Sequence, residues 1–160
     1  MMKKIFALLL AAALLCSLCA CGTKSDVQAD TRSAADIWQA MQAGIDPDDL
    51  PYLEEVDAQV LESFYGLTEA QAASFLCLFP QMNVIATEIL IVKCVPGQEQ
   101  SVLSAAEKRK SDLIETWQNY LPEQLALVED ARIVQSGQWL LFVVADQADA
   151  IEAAFIQAVG

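Results

Sequence analysis

The feature that most constrains the fold is the run Ile89-Leu90-Ile91-Val92, in which no position is polar. Successive side chains of a strand point to opposite faces, so a strand apolar at both parities is placed centrally in a sheet. Pro96-Gly97 ends it. Ala73 to Phe79 and Val84 to Val95 read as a hairpin around Pro80-Gln81-Met82-Asn83. Thr68 with Gln71 offers an alternative, a capping box that would open a helix through Leu78. With a turn centred between residues 81 and 82, Cys77 falls opposite Ala86 and Cys94 lies beyond the partner strand. The two cysteines are therefore expected as buried thiols rather than a disulfide.

Around this hairpin the pattern is helical. Ser33 reads as an N-cap, Ala34, Ile37, Trp38 and Met41 recur at helical spacing, and Gly44 is placed to stop the helix. Asp57 to Phe64 is a second short helix, packing Val60, Leu61 and Phe64, with Gly66 at its end. Gln98 to Tyr120 carries the stripe Val102, Ala106, Leu113, Trp117 and Tyr120, and Pro122 is expected to end it. Ala131 to Gln135 and Gln138 to Ala145 form a second hairpin around Ser136-Gly137. A last helix starts at Asp146 as N-cap and buries Ala148, Ile151, Phe155 and Ala158. The expected fold class is α+β, with a four-stranded antiparallel sheet in which strand-strand-helix occurs twice. Helices are expected on one face, the first two at an edge or end, leaving the other face open as a docking surface.

Upstream of this domain, residues 33–160, the chain changes character. Lys3 and Lys4 precede an apolar stretch from Ile5 to Leu18, roughly 14 residues, which suits a signal-peptide core and falls short of the ~20 needed to span a bilayer. Leu18-Cys19-Ala20-Cys21 follows and resembles the lipobox of bacterial lipoproteins. That resemblance implies cleavage between Ala20 and Cys21, an S-diacylglycerol on Cys21, and a place on the outer side of the cell membrane. An ordinary secretory peptide cut after Ala20 and an uncleaved anchor are the alternatives. Residues 1–20 are thus the leader and 21–32 a small, polar, flexible tether.

Nine basic residues stand against 22 acidic ones, and loss of Lys3 and Lys4 takes the net charge from −13 to −15. Such an acidic chain repels nucleic acid. It contains no His, and so lacks the commonest general base and metal ligand. No cofactor signature is present: the chain has only 6 Gly and no phosphate-binding loop among them.

The remaining chemistry is sparse. Asp46, Asp48 and Asp49 have the spacing of a calcium loop but lack its glycine and its terminal Glu, as expected of a solvated acidic loop. Glu54, Glu55 and Asp57 offer carboxylates for acid–base work, as does Glu88 in its apolar strand. A charge in a central strand is costly unless paired, so Glu88 is expected in a salt bridge with Arg109 or Lys93, with a catalytic acid as the alternative. Cys77, flanked by Leu76 and Leu78, reads as core rather than nucleophile. Lys108-Arg109-Lys110 reads as a solvated helix face balanced by Glu107 and Asp112, with a grip on an envelope polymer or membrane as the alternative. Trp38, Trp117 and Trp139 sit at core spacing.

Tyr65-Gly66-Leu67, Met82-Asn83-Val84, Thr87-Glu88-Ile89 and Tyr120-Leu121-Pro122-Glu123-Gln124 together resemble a family of bacterial lipoproteins, the domain of unknown function 4358. The resemblance implies a short, lipid-anchored chain and carries no catalytic residues with it. The expectation is a lipid-anchored binding or accessory module for a protein or an envelope polymer. A carboxylate-dependent envelope hydrolase and a structural subunit of a membrane complex are the alternatives.

Overall fold

In the computed structural model, which describes residues 30–160, the first helix α1 (Ala34–Met41) opens on a capping box. The Ser33 hydroxyl accepts from the Asp36 amide at 3.2 Å, and the Asp36 carboxylate accepts from the Ser33 amide at 2.7 Å. Two 3-10 turns, Gln42–Gly44 and Pro47–Asp49, lead to strand β1 (Leu53–Glu55). Helix α2 (Ala58–Tyr65) is capped by Asp57 and closed by Gly66 at φ 66°, a left-handed conformation that glycine takes without a Cβ clash. Strands β2 (Ala72–Pro80) and β3 (Glu88–Cys94) follow, then helices α3 (Glu99–Trp117) and α4 (Pro122–Glu129). Strands β4 (Arg132–Ser136) and β5 (Trp139–Val144) and helix α5 (Ala148–Val159) complete the order, and Arg32–Gly160 forms one compact unit. No helix among the described residues is long and apolar enough to cross a membrane.

The sheet is antiparallel, with β3 at its centre as expected, but it has five strands rather than four, ordered β1-β2-β3-β5-β4. The extra strand is β1, whose Leu53 pairs with Pro80 and Glu55 with Leu78. Three residues with two acids carry little strand signal, and an edge tolerates such charge because one side of it meets water. Cys77 pairs with Leu90, not Ala86, because residues 81–87 form a longer connection instead of a tight turn. Cys77 and Cys94 are both buried and unbridged. The Thr68–Gln71 pair does form: the Gln71 carboxamide accepts from the Thr68 amide at 3.0 Å and hydroxyl at 2.8 Å. It closes a turn, and β2 follows instead of a helix.

Helices cover both faces of this sheet, which corrects the expectation of one open face. Helices α2, α3 and α4 pack on the face of Cys77, Leu90, Val92, Leu140 and Phe142. On the reverse, α1 and α5 pack against Leu76, Ile89, Ile91, Leu141 and Val143. The physical reason lies in β5: all six of its residues are buried, so it requires cover at both parities just as β3 does. Phe142 and Phe155, both 0% exposed, anchor the two sides, each burial stabilising by about 1.5–3 kcal/mol.

Helix ends account for the other departures. Helix α3 stops at Trp117, and Pro122 opens α4 instead of merely ending a helix. Proline suits a first turn because its missing N–H would have had no partner there. Tyr120 therefore lies outside the α3 stripe and is 58% exposed. Gln147 occupies the N-cap of α5 in place of Asp146, and Ala154 joins the buried set where Ala158 was expected.

Candidate functional site

Glu88 opens β3 with the same parity as Leu90 and Val92, so its side chain enters the core beneath α2 and α3 and is 2% exposed. There it meets Arg109. The α3 stripe of Val102, Ala106, Leu113 and Trp117 leaves a gap one turn after Ala106, and Arg109 fills it. Arg109 donates from Nε to Glu88 Oε1 at 3.0 Å and from Nη2 to Oε2 at 2.6 Å, a two-pronged pairing. The Tyr65 hydroxyl, placed at the last position of α2 by the Gly66 stop, also donates to Oε1.

The guanidinium is held by rings as well as by charge. Its central carbon lies 4.6 Å from the centre of the Phe64 ring, 5.6 Å from that of Phe79 and 5.7 Å from that of Tyr65. Burial alone would weaken Arg109's hold on its proton, but the bonds and charge of Glu88 outweigh it and raise the pKa above the ordinary value. Burial first, then the neighbouring Glu88 charge, pushes the Tyr65 hydroxyl well above an ordinary phenol and the Cys77 thiol well above an ordinary thiol. Burial and then Glu99 push the Cys94 thiol up to about 11.

One nitrogen of Arg109, Nη1, has no hydrogen-bond partner among the described residues, and Arg109 lines a cleft of about 430 Å³. The cleft lies between α2, the 81–87 connection and α3. Phe64, Phe79, Ile85, Leu113 and Trp117 make it apolar, while Asn83 and Thr116 add polar groups. The connection is secured from below: the Gln124 carboxamide of α4 accepts from the Ala86 amide at 2.7 Å, and Gln81 donates to Glu54 of β1. Six large apolar side chains among the described residues are conspicuously exposed, and four belong to this neighbourhood: Phe64, Met82, Val84 and Tyr120. Tyr120 reaches it by stacking on Trp117, with ring centres 5.8 Å apart.

The other sequence candidates serve local structure. Asp57 caps α2 at 3.0 Å from the Gln59 and Val60 amides, and Asp46 caps its 3-10 turn at 3.0 Å from the Asp48 amide. Glu54 and Glu55 lie exposed on β1, away from the cleft lining. Trp117 and Trp139 are buried, and Trp38 packs partly buried against the α1–α5 face. Lys93 donates to the Arg32 carbonyl at 2.9 Å, so Arg109 is the partner of Glu88. The basic run is not a uniform solvated face, because its three residues diverge. Lys108 bonds to Asp112, Arg109 turns inward, and Lys110 donates to the carbonyls of Glu129 at 2.9 Å and Ala131 at 3.0 Å. Ala20 and Cys21 lie outside the described residues.

Tyr65, Met82, Asn83, Thr87, Glu88, Tyr120 and Gln124, drawn from the four stretches that carry the family resemblance, all meet at or beside this cleft. A family model, described as a domain of unknown function (DUF4358), matches residues 47–145. No curated protein and no solved structure matches the chain.

Proposed function

The chain belongs to the domain of unknown function 4358 family, and we propose from the geometry that it is a lipid-anchored accessory module that docks a protein in the Arg109 cleft. The observation that carries this reading is that exposed Phe64 and Met82 line the cleft beside an immobilised guanidinium, with exposed Val84 and Tyr120 next to other lining residues. Protein interfaces concentrate aromatic residues, Met and Arg at their centres and deplete Lys and Glu. The cleft lining has that composition: no Lys, and one Glu that is already paired. With helices on both faces of the sheet, the cleft takes the docking role first expected of an open face.

The hydrolase alternative finds less support. Glycoside hydrolysis needs two carboxylates across the scissile bond, and Glu88 is the sole carboxylate lining the cleft. Its two oxygens accept three hydrogen bonds, which suits a group that orients Arg109. The anchoring half of the proposal rests on Leu18-Cys19-Ala20-Cys21 and on the polar stretch after it.

Photo-crosslinking in the producing cell tests both halves. A crosslinking amino acid at Met82 is expected to give an adduct with a protein, and the same residue at Ile156, exposed on α5 across the sheet, is expected to give none. Cys21→Ala is expected to remove the chain from the membrane fraction and the adduct with it. Equal adducts at both positions, or none at Met82, would overturn the docking role; membrane retention of Cys21→Ala would overturn the anchor.

A further inference from the structure

Resting on that docking role and on the anchor at Cys21, we infer that the cleft opens away from the bilayer and takes a water-exposed segment of another protein. A membrane-embedded helix and the tether of this chain are the occupants it excludes. The point where the chain enters the domain sets the geometry. The Arg32 carbonyl accepts from Lys93 at 2.9 Å, the Arg32 side chain donates to the Ala158 carbonyl near the end of α5, and the Ala34 amide donates to the Ser74 hydroxyl at 2.9 Å. Ser74, Lys93 and Trp139 are neighbours across β2, β3 and β5, so the entry is fixed at one end of the sheet, on the α1–α5 face. Glu88 lies at the other end of β3, five residues and about 17 Å away at the rise of a strand, and shares the opposite face with Leu90. The 81–87 connection that walls the cleft joins β2 to β3 at that same far end.

The length of the tether turns this placement into an orientation. Cys21 stands 11 residues before Arg32, and a small, polar stretch of that length is expected to span roughly 18 Å. That is about the run of β3 from Lys93 to Glu88, so laying the cleft on the bilayer would use the whole tether. Nor can the tether turn back to fill the cleft. Its bulkiest apolar side chain, Val27, precedes Arg32 by five residues, which reach at most about 18 Å when fully extended. The cleft is that far along the sheet and on its other face as well. The walls of the cleft complete the selection. Phe64, Phe79 and Trp117 suit an apolar side chain, and Arg109 Nη1 offers its N–H edge to a carbonyl beside it. A membrane-spanning helix satisfies its own carbonyls, whereas a loop or extended stretch in water has them to offer.

Energy transfer to the membrane measures the orientation. The lipidated chain is labelled with a donor dye at Met82→Cys or at Gln157→Cys, the second being exposed on α5 near Arg32. It is then placed in phosphatidylcholine vesicles that hold an acceptor-labelled lipid. Cys77 and Cys94 are buried, so the unsubstituted chain is the control for dye uptake. The Gln157 donor is expected to transfer several-fold more energy than the Met82 donor. Equal transfer, or more from Met82, would overturn the orientation, and failure to float with the vesicles would overturn the anchor and the inference with it. The Met82 photo-adduct tests the occupant: mass spectrometry is expected to map it to a partner stretch outside any apolar run of about 20 residues. An adduct within such a run, or on residues 21–32 of this chain, would overturn the inference. Unequal transfer as expected, with no adduct at all, would spare the orientation and sink the docking role. A protein adduct alongside equal transfer would do the reverse.

Discussion

The two faces of the sheet solve the same packing problem with different materials. On the α1–α5 face no charged side chain is buried among the described residues, and Ile37, Ile151 and Phe155 are 0% exposed. The α2–α3–α4 face buries as many apolar side chains but also holds Glu88, the single charged residue buried among those described. Burying an ion pair costs desolvation that an apolar pair avoids, so the pair is poorly explained as a device for stability. The face with the charge is also the face with the cleft. On the docking proposal, the Glu88–Arg109 pair serves by what it presents outward.

The sharpest way to break this comparison is to remove half of the pair. Arg109→Ala leaves Glu88 buried and uncompensated, and urea unfolding is expected to report a loss of about 3–5 kcal/mol. Phe155→Ala, on the other face, is expected to cost a similar amount, about 3–5 kcal/mol, through the cavity it leaves. The faces then diverge: Glu88→Leu combined with Arg109→Met is expected to recover most of the stability lost by Arg109→Ala. A double variant no more stable than Arg109→Ala would show that the pair itself holds the fold.

A smaller effect sharpens the same contrast. Tyr65→Phe removes one donor from a buried carboxylate and keeps the ring, so it is expected to cost about 2 kcal/mol in the same assay. A loss near zero would mean that Arg109 alone satisfies Glu88.

The last effect is absent at neutral pH and appears only in alkali. Tyr65, Cys77 and Cys94 all lie on the cleft face with raised pKa values, that of Cys94 reaching about 11. Below the ordinary thiol range both folded and unfolded chains keep these protons, and their contribution to stability is fully present. Above it the unfolded chain releases protons that the folded chain retains, so stability falls as pH rises, by about 1.4 kcal/mol per pH unit for each retained proton. Urea midpoints taken from neutral pH upward should therefore decline through the alkaline range. Cys77→Ala with Cys94→Ala should flatten the decline, and an unchanged slope would assign it elsewhere.

Much of this architecture is legible in local pattern. The central place of β3, the hairpin at Gly137, the Gly66 stop and the long helix each follow from residues close in sequence. The Glu88–Arg109 pair is legible for a different reason, since a charge inside an apolar strand demands a partner and few cations are available. Other features mislead because one residue type has two uses. Pro122 reads as a stop but serves as a start, and the run Lys108-Arg109-Lys110 conceals an inward Arg109 that the gap in the α3 stripe would have revealed. Cover on both faces follows from applying to Trp139–Val144 the rule that places Ile89–Val92. The cleft itself is invisible in sequence, because Phe64, Phe79, Met82 and Trp117 meet only through the tertiary fold.

The tethering of the 81–87 connection has a further consequence. Gln81 is tied to Glu54 at one end and Ala86 to Gln124 at the other, leaving Met82 to Val84 as a short arch between two fixed piers. Folding of the chain itself has already restrained this arch, and the three rings have restrained the guanidinium. A protein docking as proposed would therefore meet a preorganised recess, and its association would not bear the entropic penalty of shaping it.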